Sequence, residues 1–406
     1  MTSRSAAGLD WLTFFVANVQ TGFGPFIAVY LTSMAWTQTS IGEALSLGTV
    51  VAMVSQVPGG ALVDRLRDKR VAALLAAAGV ALAALLFALA PTRPAVLLAM
   101  VLHSLASSML GPAIAAISLA LVGRAALGER LGRNTRFAAL GNGSAAAVLG
   151  VVGAYVSSRA VFWLTSALMI PGLIALSWIR RKDLTKGPAS LPRRASTGWM
   201  PAPDLWRLFR DRRLLVFVAA AVLFFFNDAA LLPIAGAQVT KNSGSYANLV
   251  IAASIVLPQL ISAAIAPWVG RSADRWGRRP MLLLGFASVP VRGLLLALSV
   301  HPGSLILVQG LDGLSASVFG VMMPLVIADI TAGTQHFNKM VGVVGLAISG
   351  GAALSTLVAG ILADTFGHAI VFLVLSSGGL VSVLLLFLAM PDTRGVTVRP
   401  REPVAA

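Results

Sequence analysis

The chain is divided into apolar runs of about 20 residues or more, separated by short segments rich in glycine, proline and charge. Because an α-helix rises about 1.5 Å per residue, about 20 apolar residues cross the hydrocarbon core of a bilayer. With 57% hydrophobic and 11% charged residues, the chain has too little polar surface to remain in water. The runs predict twelve membrane-spanning helices, at residues 9–31, 41–63, 71–90, 95–122, 136–157, 160–179, 214–237, 247–269, 281–300, 305–330, 340–362 and 369–390.

Lysine and arginine residues are concentrated in alternate connections between these spans. Of the 31 Lys and Arg residues, 27 lie on one side of the predicted membrane; Arg93, Arg159 and Lys241 lie on the other, and Arg292 lies within a span. Since basic connections stay in the cytoplasm, both termini are predicted to be cytoplasmic. We expect a multi-pass protein of a plasma membrane, in particular a bacterial inner membrane. The net charge of +16 then reflects topology, and no nucleic-acid partner is expected.

One long basic connection divides the spans into two sets of six. We expect an N-terminal half at residues 1–179, a cytoplasmic linker at 180–213, a C-terminal half at 214–390 and a cytoplasmic tail at 391–406. In the linker, "PDLWRLFRDRR" places apolar and basic residues at helical spacing. That spacing predicts an amphipathic helix lying on the membrane surface.

The two halves carry related sequence. The segment "GGALVDRLRDKR" (59–70) recurs as "VGRSADRWGRRP" (269–280), which aligns Asp64 with Asp274. Three further pairs in nearly the same register are Asn18 with Asn227, His103 with Asp312 and Gly141 with Gly350. Four matches in one register indicate duplication, and therefore two halves related by pseudo-symmetry.

The repeated loops predict a contact that opens and closes. Gly60 and Gly270 precede the aspartates by one helical turn, and a missing side chain lets a neighbouring helix approach. Each aspartate can then accept hydrogen bonds from the N-terminus of that helix, where the helix dipole favours negative charge. We expect this gate to close the cytoplasmic ends of the halves. The gate residues are Gly60, Asp64, Arg65, Gly270, Asp274, Arg275, Gly277, Arg278 and Arg279.

Twelve spans, a central basic loop and a Gly-x-x-x-Asp-Arg-x-Gly-Arg-Arg pattern resemble the major facilitator superfamily of secondary transporters. The second copy of the pattern, at 270–279, is complete; the first has Arg67 in place of glycine and Asp68 in place of a basic residue. The resemblance covers essentially the whole chain. It implies an all-α polytopic membrane protein with twelve transmembrane helices in two pseudo-symmetric six-helix halves. It also implies that spans 1, 4, 7 and 10 surround a central cavity, with span nine at the periphery.

Few ionisable residues lie within the predicted spans. No GxxxxGK[ST] phosphate-binding loop occurs, which favours coupling to an ion gradient over ATP. Because a charge inside a membrane is costly, such residues are usually functional. Asp312, Asp228 and His103 are the candidates for proton coupling, with a fixed Asp312–Arg292 pair and a packing role for His103 as alternatives. Arg292 keeps its charge and needs Asp312, Asp228 or an anionic substrate as its partner.

Several polar residues are candidates for binding a substrate in the cavity. They are Asn18, Thr21, Asn227, Gln309 and Arg292. Asn142 and Gln259 can also line the cavity, whereas Gln20 points away from the face of span one that carries Asn18 and Thr21. Gln309 lies one turn from Asp312 on the same face of span ten.

We expect a monomer that moves a small organic solute by alternating access, by proton-coupled export as an antiporter of drugs or metabolites. Span five lacks the proline of the glycine-proline motif found in drug/proton antiporters of the family, so uptake of an organic acid by proton symport is the main alternative. A membrane sensor that does not transport is a third hypothesis. The chain contains no cysteine and no nucleophile–base–metal constellation, so no enzyme, metal site or cofactor is expected.

Overall fold

The computed structural model describes residues 3–21, 38–185, 210–235, 247–298, 301–332 and 336–393, together with Phe23, Phe26, Ile27, Tyr30, Leu31, Met34 and Trp36. These residues form helices and connecting turns, and no strand occurs among them. The amphipathic helix predicted in the linker lies mostly outside the described residues, and so does most of the predicted tail, from residue 394 on.

Twelve long helices follow one another along the described chain. They are α1 (Ser3–Thr21), α2 (Gln38–Arg65), α3 (Lys69–Leu89), α4 (Arg93–Val122), α5 (Leu127–Tyr155), α6 (Ser158–Trp178), α7 (Arg212–Asp228), α8 (Ala247–Trp276), α9 (Arg278–Phe286 and Ser288–Leu298, broken at Ala287), α10 (Pro302–Ile330), α11 (Phe337–Phe366) and α12 (His368–Ala389). A short helix, Arg181–Thr185, follows α6. All except α1 are long and apolar enough to cross a membrane. The predicted all-helical, multi-pass architecture is confirmed.

Polar residues in the connections fix where several helices begin. Asp68 caps α3 by accepting a hydrogen bond from the backbone N–H of Arg70 at 3.0 Å. Asp211 caps α7 in the same way, at 2.8 Å from the backbone N–H of Arg213. Such caps satisfy N–H groups that have no partner within the helix. The aspartate in the linker therefore starts span seven.

Each half has its own hydrophobic core. The first cluster of buried side chains comes from α1, α2, α3, α4 and α6 and the residues between α1 and α2. Buried side chains of α5 belong instead to the second cluster and to a small third one. The second comes almost entirely from α7 to α12. Contacts between the halves are made mainly by α5 with α8 and by α2 with α11. A shift of six helices converts one pair into the other, so these contacts follow the pseudo-symmetry that the sequence repeat predicts.

The outer surface of the bundle is apolar. Leu388, Leu307 and Leu298 are 77%, 75% and 75% exposed, and exposed leucine, isoleucine or valine side chains occur on nine further helices or helix segments. A water-soluble protein rarely exposes an apolar surface of this extent. The exposed side chains therefore face lipid.

Candidate functional site

The ionisable residues of the C-terminal half meet around Arg292 of α9. Nη1 of Arg292 contacts a carboxylate oxygen of Asp228 from α7 and lies 2.8 Å from Oδ1 of Asp312 from α10. Nη2 donates to Oε1 of Gln309, also on α10, at 2.7 Å. We call these four residues the charged cluster. One guanidinium faces two carboxylates, so one negative charge in the cluster is not compensated within it.

Arg292 reaches the interior although α9 has an outward face. Its side chain is 2% exposed, while the flanking Val291 and Leu294 are 46% and 49% exposed. The second segment of α9 packs on α12 and α10, and this packing turns Arg292 inward. The side chains of Asp228 and Asp312 are 17% and 31% exposed, so Asp312 is the most accessible charged member of the cluster.

His103 on α4 occupies the position that corresponds to Asp312, but its surroundings differ. The imidazole stacks on the ring of Phe23, with centroids 3.8 Å apart and planes 10° from parallel. Oγ of Ser107 lies 3.5 Å from the ring nitrogens. The N-terminal half therefore holds an aromatic stack where the C-terminal half holds charges.

A cavity of about 320 Å³ lies between α1 and α5 of the N-terminal half and α8 of the C-terminal half. We call it the amide cavity. Oγ1 of Thr21 lies 3.0 Å from Oδ1 of Asn142. The lining residues are Gln20, Thr21, Asn142, Gly143, Ala146, Ile255, Val256 and Gln259, and none of them is ionisable. Gln20 lines the cavity beside Thr21, although the sequence placed it on the opposite face.

The two aligned asparagines do not line this cavity. Asn18 is buried and donates to the backbone oxygen of Gly141 at 3.2 Å and to Oγ of Ser144 at 3.1 Å, which ties α1 to α5. Asn227 is buried, donates to the backbone oxygen of Leu223 at 2.6 Å and lies against Gly378 of α12. Both side chains are held by helices of their own half.

The alignment of Gly141 with Gly350 needs a shift of one residue. Gly141 lies against the backbone oxygen of Phe14, where a β-carbon would collide. In the other half the close approach is made by Gly351, against the backbone oxygen of Val222, whereas Gly350 faces open space. The closely packed glycines of α5 and α11 therefore correspond at an offset of 210.

The first gate contact joins α2 to the first turn of α11. Oδ2 of Asp64 accepts a hydrogen bond from the backbone N–H of Lys339 at 2.9 Å. Oδ1 accepts from the backbone N–H and from the side-chain amide of Asn338, at 3.3 and 2.6 Å. Gly60 lies directly against the backbone of Asn338, where a β-carbon would collide. An aspartate of one half therefore caps a helix of the other half.

The second gate contact joins α8 to the first turn of α5. Oδ2 of Asp274 accepts from the backbone N–H of Glu129 at 3.0 Å, and Gly270 lies against the backbone of Gly128. Both contacts lie at the end of the bundle that carries residues 65–69 and 275–278, which we call the basic end. Arg65 and Arg275 are exposed there. The two halves are thus closed against each other at the basic end.

The last two arginines of the second motif hold the C-terminal half together. Nε of Arg278 donates to Oδ2 of Asp329 at 2.8 Å, and its Nη1 lies 3.4 Å from Oδ1 of Asp274. Arg279 contacts the backbone oxygen and the ring of Phe387 on α12. Gly277 has φ = +104°, a conformation that favours glycine.

The departures from the pattern in the first loop do not remove its gate contact. Asp68, in place of a basic residue, caps α3 and lies 3.8 Å from Arg181. Nζ of Lys69 donates to the backbone oxygens of Val63, Asp64 and Leu66 at 2.6, 3.0 and 3.0 Å. Lys69 therefore covers the carbonyl groups left free at the end of α2.

Sequence reasoning missed one buried ionic network. Asp10 of α1 contacts Arg130 and Arg133 of α5, and Asp10 and Arg130 are 3% and 4% exposed. Asn134 accepts from Nε of Arg130 at 3.0 Å and donates to Ser118 of α4 at 2.7 Å. The prediction that span five starts at residue 136 was wrong, because α5 begins at Leu127 and carries these residues. The one-turn spacing of Arg130 and Asn134 was the available signal.

Two six-helix bundles that meet through symmetry-related contacts at the basic end, with charged and amide groups inside, are typical of a membrane transporter. The family model of the Major Facilitator Superfamily matches residues 9–234 and again 217–405. The chain therefore belongs to the major facilitator superfamily, a family of transporters that are not enzymes. It is a multi-pass membrane protein that handles small molecules, and the separate matches confirm its two halves.

Relatives of known name are similar over different lengths. An uncharacterized MFS-type transporter of Mycobacterium tuberculosis is 36% identical over 405 residues, which cover 98% of this chain and 96% of the relative. The class B tetracycline resistance protein of Escherichia coli is 32% identical over 119 residues, 29% of each chain. A crystal structure of the fucose:proton symporter FucP of E. coli superposes with a TM-score of 0.73 at 16% identity, over 95% of this chain and 98% of FucP. That likeness concerns the fold alone.

Proposed function

We propose that this protein is a secondary transporter that exports a small organic solute in exchange for protons. The observation that carries the proposal is the charged cluster, in which the buried guanidinium of Arg292 is shared by Asp228 and Asp312. An uncompensated charge inside a membrane protein is costly unless it is paired or serves transport. A proton on one carboxylate neutralises the cluster, which therefore has a charged and a neutral state.

Within the cluster, Asp312 is the carboxyl group that exchanges its proton. It is more exposed than Asp228, and Arg292 lies closer to Asp228 than to Asp312. Asp228 and Gln309 keep Arg292 in place when Asp312 is neutral. Because the residues come from α7, α9 and α10, protonation of Asp312 changes the attraction between three helices of the same half. His103 on α4 is a second candidate proton site in the other half.

Two observations support export and a bacterial inner membrane. One relative is named for resistance to tetracycline, an organic solute, another is named an efflux pump, and the long relative is bacterial. The distribution of Lys and Arg favours a cytoplasmic location for the basic end and both termini. Since the halves are closed at that end, we assign the structure to an outward-facing state, and we propose that the transporter works as a monomer.

Uptake of an organic acid by symport is less well supported. Such a substrate needs a free cationic group, but both terminal nitrogens of Arg292 already have carboxylate or amide partners. The other candidate for binding an anion, His103, is stacked on Phe23. A sensor without transport gives no reason for two symmetry-related gate contacts.

The experiment that tests the proposal measures solute flux in proteoliposomes that contain the purified full-length chain. With an imposed pH gradient, tetracycline and a broad panel of organic solutes are supplied, and a pH-sensitive dye follows protons. We expect solute and protons to move in opposite directions for at least one solute. In Asp312→Asn, the solute flux that the pH gradient drives should fall at least tenfold, while solute exchange without a gradient persists. Proton movement in the same direction as the solute would contradict export by antiport.

A further inference from the structure

The amide cavity carries hydrogen-bonding groups without any charge. Three primary amides, from Gln20, Asn142 and Gln259, and the hydroxyl of Thr21 line it together with the apolar Ile255, Val256 and Ala146. An amide group both donates and accepts hydrogen bonds. Since Oδ1 of Asn142 is next to Thr21, its Nδ2 is directed elsewhere. The volume of the amide cavity, about 320 Å³, lies at the lower end of the range for small-molecule sites.

The amide cavity and the charged cluster share no helix. The cavity is built from α1, α5 and α8, whereas the cluster is built from α7, α9 and α10. The cavity spans both halves, whereas the cluster lies within one. A solute in the cavity therefore does not compete with a proton for the same carboxylate.

We infer that the amide cavity binds the transported solute, and that this solute is an uncharged organic molecule with hydrogen-bond donors and acceptors and an apolar part. A charged solute without a counter-charge pays a large desolvation cost in such a site, whereas an uncharged one exchanges hydrogen bonds with water for hydrogen bonds with the amides. The inference rests on the proposed exchange of solute for protons and names its substrate class. Exchange of an uncharged solute for a proton moves one net charge, so the transport is electrogenic.

Binding to the purified full-length chain in detergent tests the site without any gradient. Chloramphenicol serves as the uncharged probe, ethidium as the cationic probe and benzylpenicillin as the anionic probe. We expect chloramphenicol to bind and its Kd to rise at least tenfold in Gln259→Leu and Asn142→Leu. Thr21→Val should raise the Kd severalfold. The matched control is Thr49→Val, because Thr49 also bonds the carbonyl oxygen four residues before it but lies on the exposed face of α2.

Three binding results would overturn the inference. The first is that chloramphenicol does not bind. The second is that it binds the wild type and the cavity variants with equal affinity. The third is that a charged probe binds more tightly than chloramphenicol and that this binding depends on Gln259. Asp312→Asn should leave the Kd of chloramphenicol within twofold. A change larger than tenfold in that variant would place the solute at the charged cluster instead.

Chemical labelling tests the cavity without any choice of solute. Because the chain contains no cysteine, Ala146→Cys introduces a single thiol into the cavity lining. This thiol is then labelled with small cationic, anionic and uncharged methanethiosulfonates, and each rate is divided by the rate of the same reagent with a free thiol. The three ratios should agree within about threefold. A preference above tenfold for the cationic reagent, as charge steering would produce, would show a carboxylate in the site and overturn the inference.

The membrane potential separates this inference from the proposed function. The proteoliposomes have no pH gradient and carry a potassium diffusion potential of 59 mV. If one proton exchanges for one uncharged solute, this potential should change the ratio of inside to outside chloramphenicol at equilibrium about tenfold. No effect of the potential together with a full response to the pH gradient would overturn the uncharged substrate but leave proton coupling intact. Binding in the cavity without any proton-linked flux would instead refute the proposed function.

Discussion

Arg292 is the residue whose loss should cost most stability, because it is the counter-charge for two carboxylates in the interior of the C-terminal half. Arg292→Leu leaves Asp228 and Asp312 without a cation, and removal of one partner of a buried pair costs about 3–5 kcal/mol. We expect that decrease in the free energy of unfolding, measured in detergent by chemical denaturation.

The control for this prediction is Arg271→Leu, since Arg271 is exposed on α8 and should change stability by at most about 0.5 kcal/mol. Addition of Asp228→Asn and Asp312→Asn to Arg292→Leu should recover part of the loss, because the unpaired charges are removed. A triple variant no more stable than Arg292→Leu would show that Arg292 contributes by packing alone.

The contacts of a single residue could be predicted where its chemistry requires a particular kind of partner. A buried arginine needs an acid, and the one-turn spacing of Gln309 and Asp312 directs both to the guanidinium. Asp10 was not recognised, because its partners depend on where α5 begins. Gln20 points inward, and the neighbours of Arg292 point outward, because of how each helix is rotated about its axis. Packing sets this rotation, and a single sequence does not show it.

At the level of helices, Asp64 should hold α2 and α11 together at the basic end. Asp64→Ala removes three hydrogen bonds to the first residues of α11, each worth about 1.5–3 kcal/mol when a charge is involved. We expect the halves to separate more often, so that Val57→Cys, whose backbone lies beside Gly342 of α11, reacts with maleimide at least about tenfold faster.

Asp68→Ala provides the comparison, because Asp68 belongs to the same loop but caps α3 within its own half. Its removal should lower the free energy of unfolding by about 1 kcal/mol without faster labelling of Val57→Cys. Equal acceleration in both variants would mean that loss of any carboxylate loosens the loop, and the specific role of Asp64 would be refuted.

Helix existence was easier to predict than helix ends. Apolar length alone identified the spans, and ten of the predicted segments start within a few residues of the observed helices. α1 starts at Ser3, six residues before the predicted span, and α5 starts at Leu127, nine residues before it. The first two turns of α5 carry Arg130 and Arg133, which read as loop residues until they are paired with Asp10. Hydropathy measures lipid solubility residue by residue, so it cannot register charges that neutralise each other across helices.

For the whole molecule, alternating access requires the two halves to move apart at the basic end. Gln56 of α2 and Ser349 of α11 lie on opposite halves, with Nε2 of Gln56 2.9 Å from Oγ of Ser349. Gln56→Cys combined with Ser349→Cys allows these halves to be joined by a short bis-methanethiosulfonate. We expect the cross-link to lower solute flux in proteoliposomes at least tenfold and dithiothreitol to restore it.

The matched control joins helices of one half. Ser166 of α6 donates to the backbone oxygen of Ala81 on α3 at 3.2 Å, so Ser166→Cys with Ala81→Cys places a similar cross-link inside the N-terminal bundle. Because each half has its own core and moves as a unit in this mechanism, that cross-link should leave more than half of the flux. Equal inhibition by both cross-links would mean that transport requires rearrangement within a half, and undiminished flux through joined halves would exclude rigid-body alternation.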